Sequence, residues 1–357
     1  MNEILKNDDG VLKTRWSVHA YDKKKQEWTE AWNEAYDMQA SQNCWQAERA
    51  KITPSRKRGI ERNYEKIVVL GDAHISYRNI NGELEPTQDE RALLLARWVI
   101  AEINPDKIIV TGDMLDNAEL STFRPDSDHY IGTLGQSIQR IHDYYAELRA
   151  DNPKSQIIEV GSNHAQRIKK RLIDDLPQMY NVRQAGSGSK YPVMSYPFMA
   201  NLEHVGVDFY SGEQAEYLYE GNVFKHSFTK NLDKLRSEYQ GVNTFGGHWH
   251  VVNMNFYSQT ERRSRELRIR ELGNYTCGVL CRLDGTVSST KSEVDDINEP
   301  VKRYENWTQG IIEVDVDESG SIGRYISFRN GIARYNDKIY DANEVVDIHG
   351  NFLTDKK

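Results

Sequence analysis

Three short apolar runs, Lys66-Ile-Val-Val-Leu70, Lys107-Ile-Ile-Val-Thr111 and Gln156-Ile-Ile-Glu-Val160, each break off at a glycine that opens a polar cluster. Runs of this length, rich in β-branched residues and ending at turn formers, read as strands buried on both faces. The stretches between them have helical periodicity. Thr87-Gln-Asp-Glu90 has the form of a capping box, a hydroxyl at the cap and a glutamate three residues on. After it, Leu93, Leu94, Ala96, Trp98, Val99 and Ile103 make an apolar stripe, and Pro105 lies just past the expected end. A second helix is predicted over 134–150. Strand, helix, strand, helix, strand implies parallel βαβ units and the α/β class. Ligands of such sheets sit beyond the carboxyl ends of the strands, where all three polar clusters fall.

The second half is richer in strand signals. Gly221-Asn-Val-Phe-Lys-His226 and the stretch 242–250 read as strands running into histidines, and 273–283, 310–316 and 322–329 as further strands. Residues 63–330 are therefore expected to form the main domain. Residues 331–357 are expected to be a tail, with a hairpin turning at Asn336-Asp337. Residues 1–50 form a small N-terminal appendage. Trp16 to Tyr21 and Glu27 to Trp32 suggest a hairpin there, with a helix over 31–47 as the competing reading. Residues 51–62, with Lys51, Arg56, Lys57, Arg58 and Arg62, read as a basic linker.

Composition narrows the function classes. Hydrophobic residues make up 38% and charged residues 28% of 357, a globular balance. No apolar run approaches the roughly 18 residues that a membrane span requires, and the first residues lack a leader pattern. Three cysteines provide no disulfide framework. Cys277 and Cys281 read as core residues, and a cytoplasmic location is expected. A net charge of −8 excludes an overall basic footprint for nucleic acid, though not local basic segments.

Five clusters carry the chemistry: Asp72-Ala-His74, Gly112-Asp113-Met-Leu-Asp116, Asn163-His164, His226 and Gly247-His248-Trp-His250. In an extended backbone, residues two apart point the same way, so Asp72 with His74, and His248 with His250, could each share a metal. Carboxylate, amide and imidazole donors without thiolate suit Mn²⁺, Fe²⁺ or Zn²⁺. Each cluster alone is commonplace. Gly-Asp recurs at turns, and a single histidine is usually a packed or solvated residue. Their order, each after an expected strand, is the specific signal.

That order resembles the calcineurin-like metallophosphoesterase family over roughly residues 66–329. Asn306-Trp-Thr-Gln-Gly310, after Gly278 to Gly285, is similar to segments of phage-encoded members, which would place the protein in a host cytoplasm. The resemblance implies two mixed β-sheets packed together and flanked by helices, with two divalent ions at the strand ends. It implies that Asp72, His74 and His250 bind one ion, that Asn163, His226 and His248 bind the other, and that Asp113 bridges them. His164 would face the leaving group as general acid, with Asp116 holding its ring. Two metals in such a site clamp both sides of an in-line displacement and activate a water.

Two departures stand out. Ser162 replaces the usual glycine before Asn163, at a position where unusual backbone angles would call for glycine, and Ala165 stands where the family carries an acid after His164. Asn117 stands where protein Ser/Thr phosphatases carry a phosphate-gripping arginine, which favours diesters over monoesters. The expected substrate is a phosphoester of DNA or RNA, with a nucleotide or other small phosphoester as the alternative and an inactive binding module as the third reading. Candidate substrate contacts are Asn117, Arg167, Arg263, Arg265 and Arg268. A solvated, ion-paired strand or helix is the competing account of the arginine-rich stretch. Trp16, Trp28 and Trp32 could stack bases or form a small core.

Overall fold

The computed structural model describes residues 63–80, 82–121, 128–263, 266–287 and 305–353, with two short strands, β1 (Ile4–Lys6) and β2 (Leu12–Thr14), that pair antiparallel. The aromatic stretches 16–32, the basic linker 51–62 and Arg265 lie outside the described residues, as do the side chains of 261–268.

The main body is a sandwich of two mixed sheets. The first runs through β3 (Glu65–Leu70), β6 (Lys107–Val110), β7 (Gln156–Val160) and β8 (Val207–Tyr210), all parallel. On the other side of β3 it continues through β14 (Gln309–Asp317) and β15 (Gly320–Arg329), then β16 (Ile332–Tyr335) and β17 (Lys338–Asp341), all antiparallel. Residues 331–341, expected as part of a tail, thus extend this sheet. Their turn, Asn336-Asp337, has left-handed backbone at both positions, as a tight hairpin requires.

The second sheet has the order β12 (Asn253–Arg263), β13 (Glu266–Thr276), β11 (Asn243–Gly246), β10 (Asn222–Lys225), β9 (Glu216–Tyr219). The expected strand at 273–283 ends at Thr276. The preceding arginine-rich stretch is the long β12–β13 hairpin, a strand rather than a helix. Between β4 (Tyr77–Ile80) and β5 (Glu83–Pro86) lies a small separate hairpin.

Alternation along β3 explains the layering. Ile67 and Val69 face the second sheet, where they pack with Phe224, Phe245 and Tyr275; Val68 and Leu70 face the helices. All four are fully buried, each worth roughly 1.5–3 kcal/mol in removed apolar surface. The helical layer consists of α1 (Glu90–Ile103), α2 (Leu134–Asp151) and α3 (Ala165–Asp175). The cap of α1 is Asp89, which accepts from Arg91 N at 3.1 Å. The expected cap, Thr87, instead donates its hydroxyl to His74 O at 2.6 Å and so braces a polar cluster. The helix ends at Asn104 in left-handed conformation, just before Pro105.

Candidate metal centre

The five clusters meet at the carboxyl ends of β3, β6, β7, β10 and β11. They do not meet as extended strand ends. Asp72, His74, Asp113, His248 and His250 all have φ between 45° and 72°. Left-handed backbone costs such residues of order 1–3 kcal/mol each and persists only where the surroundings enforce it. Here they do. Asp72 N donates to Gly112 O at 3.0 Å and His74 N to Asp113 O at 2.9 Å, so the loops after β3 and β6 lock together. His248 N donates to both oxygens of Asp72, at 3.0 and 2.9 Å, tying in the loop after β11. The spacing of two thus brings each pair together by a different route from the strand alternation expected of it.

Two glycines permit the close approach. A Cβ on Gly247 would lie 2.4 Å from Asp72 Oδ2. Gly112, at φ +98°, leaves room for Ser162 and His226, whose nearest atoms a Cβ would meet at 2.7 and 3.2 Å. Ser162 itself has no left-handed backbone, so its replacement of glycine is harmless, and its Oγ accepts from Ala165 N at 3.4 Å at the start of α3.

The side chains converge in three groups, of which His74, Asp116 and His164 form the third. Asp72, His74 and His250 offer ligand atoms within 4.8 Å of one another, and so do Asp113, His226 and His248. In the first group His74 Nε2 lies 3.0 Å from His250 Nε2, with Asp72 Oδ1 3.7 Å from the latter. In the second, His226 Nε2 lies 2.8 Å from Asn163 Oδ1, 3.2 Å from Asp113 Oδ2 and 3.2 Å from His248 Nδ1. Asp113 Oδ2 is also 4.0 Å from His74 Nε2, so it stands between the groups.

The donor sets fit divalent cations. His226 Nδ1 lies 2.9 Å from Thr111 O, which only accepts, so the neutral ring carries its proton there and turns a bare Nε2 inward. That nitrogen faces a carboxylate, an amide oxygen and another imidazole. Acceptors facing acceptors need a cation between them. Without a metal a proton serves: burial disfavours charge on His226, but Asp113 outweighs it and lifts the ring to about 9. Burial, with His226 adding to it, lowers His248 to about 4, and burial with His74 lowers His250 as well, keeping both imidazoles neutral, the form that ligates. Burial raises Asp72 to about 7.

Asp116 supports both histidines beside it. Its Oδ1 is 3.0 Å from His74 Nδ1 and 3.2 Å from His164 Nδ1, and these bonds overcome burial to hold it well below the usual carboxylate range. His164 Nδ1 is nearer still, at 2.7 Å, to the Asp116 carbonyl. Arg167 reaches the same carbonyl at 2.6 Å and sets its Nη2 2.9 Å from His164 Nε2. Asn117 adjoins Asp116 and has left-handed backbone. Its amide atoms are buried and meet no partner among the described residues. Arg263 and Arg268 lie on the β12–β13 hairpin, with side chains outside the described residues. Sequence reading missed the second layer. Trp307 packs edge-on against His250, ring centres 4.2 Å apart, and Thr308 N donates to His250 O at 3.0 Å. Cys277 and Cys281 are fully buried, as expected.

No protein-family model and no curated protein matches the chain. Among solved structures it is similar to vacuolar protein sorting 29 from Cryptosporidium parvum, at 8% identity and a TM-score of 0.30, over 78% of this chain and 100% of that one. A likeness that distant carries no functional argument, so the reading rests on the chain's own geometry. No described helix is long and apolar enough to cross a membrane.

Proposed function

We propose that the protein is a two-metal phosphoesterase of the calcineurin-like kind, acting on phosphodiesters, with DNA or RNA as the favoured substrate. The observation that carries this is the convergence of Asp113 Oδ2, Asn163 Oδ1 and His248 Nδ1 on His226 Nε2, at 2.8–3.2 Å from it, beside a second group of His and Asp donors. Asp72, His74 and His250 would hold one cation and Asn163, His226 and His248 the other, with Asp113 shared. Mn²⁺ is the favoured ion for such nitrogen and oxygen donors. When bound, the pair would supply Lewis-acid activation of water and neutralise charge on the phosphate.

The chain's own residues do the rest. Asp116 fixes the His74 ring so that its Nε2 lone pair points inward. His164, at the start of α3, is proposed to pass a proton to the leaving alkoxide once Arg167, which donates to its Nε2, moves aside and that nitrogen is protonated. Arg167, held on the Asp116 carbonyl, can grip one phosphate oxygen. A diester preference follows from charge, because one arginine and no second at Asn117 suits a monoanion better than a dianion. A cytoplasmic setting agrees with the sparse cysteines. The test is a panel of nitrophenyl mono- and diesters and single- and double-stranded DNA with Mn²⁺. Diester turnover that chelation abolishes supports the reading, and faster monoester than diester turnover opposes the substrate assignment.

A further inference from the structure

Beside α3 lies a partly enclosed cavity of about 150 Å³. Its walls include Ile168 and Leu172 from the helix, and Tyr191 and Phe209 from the chain packed across it. These four are 4–8% exposed, so the walls are firm. The cavity begins where the proposed metal centre ends. Ala165 and Gln166, which line it, follow directly on Asn163-His164, and residues one helical turn apart are about 5–6 Å apart at Cβ. Opposite, Ser211 lines the cavity next to Tyr210, whose carbonyl accepts from Gly161 N at 2.8 Å. Both walls therefore flank the loop that carries Asn163.

Gln166 brings a polar group to these walls. Gln166 is 9% exposed, lines the cavity, and its side-chain amide meets no partner among the described residues. Solvent reaches this amide, so a ligand can take the place of water there. It offers a donor and an acceptor side by side, the pattern that the edge of a base presents. The volume fits one six-membered ring, since cavities of about 150 Å³ take a benzene-sized guest. Purines are larger.

We propose that this cavity receives a pyrimidine base of the nucleotide whose phosphate lies at the metal centre, with Gln166 reading the base edge and the aromatic walls holding its faces. The proposal rests on the phosphodiesterase reading and names its substrate more closely.

The experiment compares KM for thymidine 5′-(4-nitrophenyl) phosphate, the adenosine counterpart and methyl 4-nitrophenyl phosphate, with Mn²⁺. It uses the parent, Gln166→Leu and Met194→Trp, the last placing an indole at the cavity rim. The parent should show KM for the thymidine ester about tenfold below the methyl ester, with the adenosine ester near the methyl value. Both variants should lose the preference. Equal KM values across the esters in the parent, or a preference that survives in both variants, would overturn the proposal. Equilibrium dialysis of thymidine against metal-free protein separates the two readings. Thymidine binding that Gln166→Leu abolishes, with no ester hydrolysed, keeps the cavity and sinks the phosphoesterase reading. Hydrolysis without base preference does the reverse.

Discussion

Arg167 Nη2 lies 2.9 Å from His164 Nε2. A guanidinium only donates, so the imidazole nitrogen must accept, and His164 is neutral with its proton on Nδ1. Burial and the neighbouring Arg167 charge hold the ring below its ordinary value, against the pull of Asp113 and Asp116. In this arrangement Arg167 donates to the nitrogen from which His164 would pass a proton. For His164 to act as the proposed acid, Arg167 would have to move aside, toward the phosphate, and Nε2 would have to take up a proton from solvent. Arg167→Met should then lower kcat/KM on a diester with an alcohol leaving group by about tenfold or more, the worth of one charge-assisted bond. Unchanged kinetics would show Arg167 to be packing only.

Replacing His164 itself separates proton transfer from metal binding. His164→Ala should keep both ions and lose about 100-fold on an alkyl leaving group, within the range for general acid catalysis. A nitrophenolate, which leaves without a proton, should be little affected. Metal analysis beside the two rates decides it, and a metal-free variant would make His164 a ligand.

Gly247 has no room for a side chain. The first carbon of one would lie 2.4 Å from Asp72 Oδ2, where that carboxylate takes its bonds from His248 N. Gly247→Ala should weaken metal binding by at least about tenfold, as losses of ligand support do. Titration with Mn²⁺ checks this, with the fold monitored by circular dichroism. Parental affinity would mean that the Asp72 loop moves freely.

Sequence patterns reached the layers and the site but not the route between them. Three apolar runs with β-branched residues were enough to place β3, β6 and β7, because strands buried on both faces leave a clear trace. The clusters were legible because their spacing survives in sequence. Their backbone was not, since left-handed turns at Asp72, His74, His248 and His250 depend on hydrogen bonds from distant loops. Thr87 looked like a cap because the local pattern cannot show that its hydroxyl is claimed by His74 O. The cavity beside α3 was invisible because residues from 165 to 211 line it with no common period.

Glu159, away from the metal centre, gives stability a pH dependence. Burial raises its carboxyl to about 7, although the Tyr145 and Tyr196 hydroxyls, donating at 2.6 and 2.9 Å, favour the charged form. Below the ordinary value of 4.5 both folded and unfolded chains hold this proton. Between there and about 7 only the folded chain keeps it, so the contribution to stability falls as pH rises and is lost above about 7. The loss is at most about 3 kcal/mol. Urea unfolding at pH 5 and pH 8 should show this fall in the parent and a flatter profile in Glu159→Gln. Identical profiles would remove Glu159 from the account.

His226, Asp113 and their neighbours are proposed to turn lone pairs inward toward two cations. Equilibrium dialysis with Mn²⁺ after chelator treatment, with nitrophenyl diester turnover followed on the same samples, tests it most directly. Two ions per chain are expected, with turnover that rises as they bind and loss of both in Asp113→Ala. Undiminished turnover in the metal-free protein would contradict it.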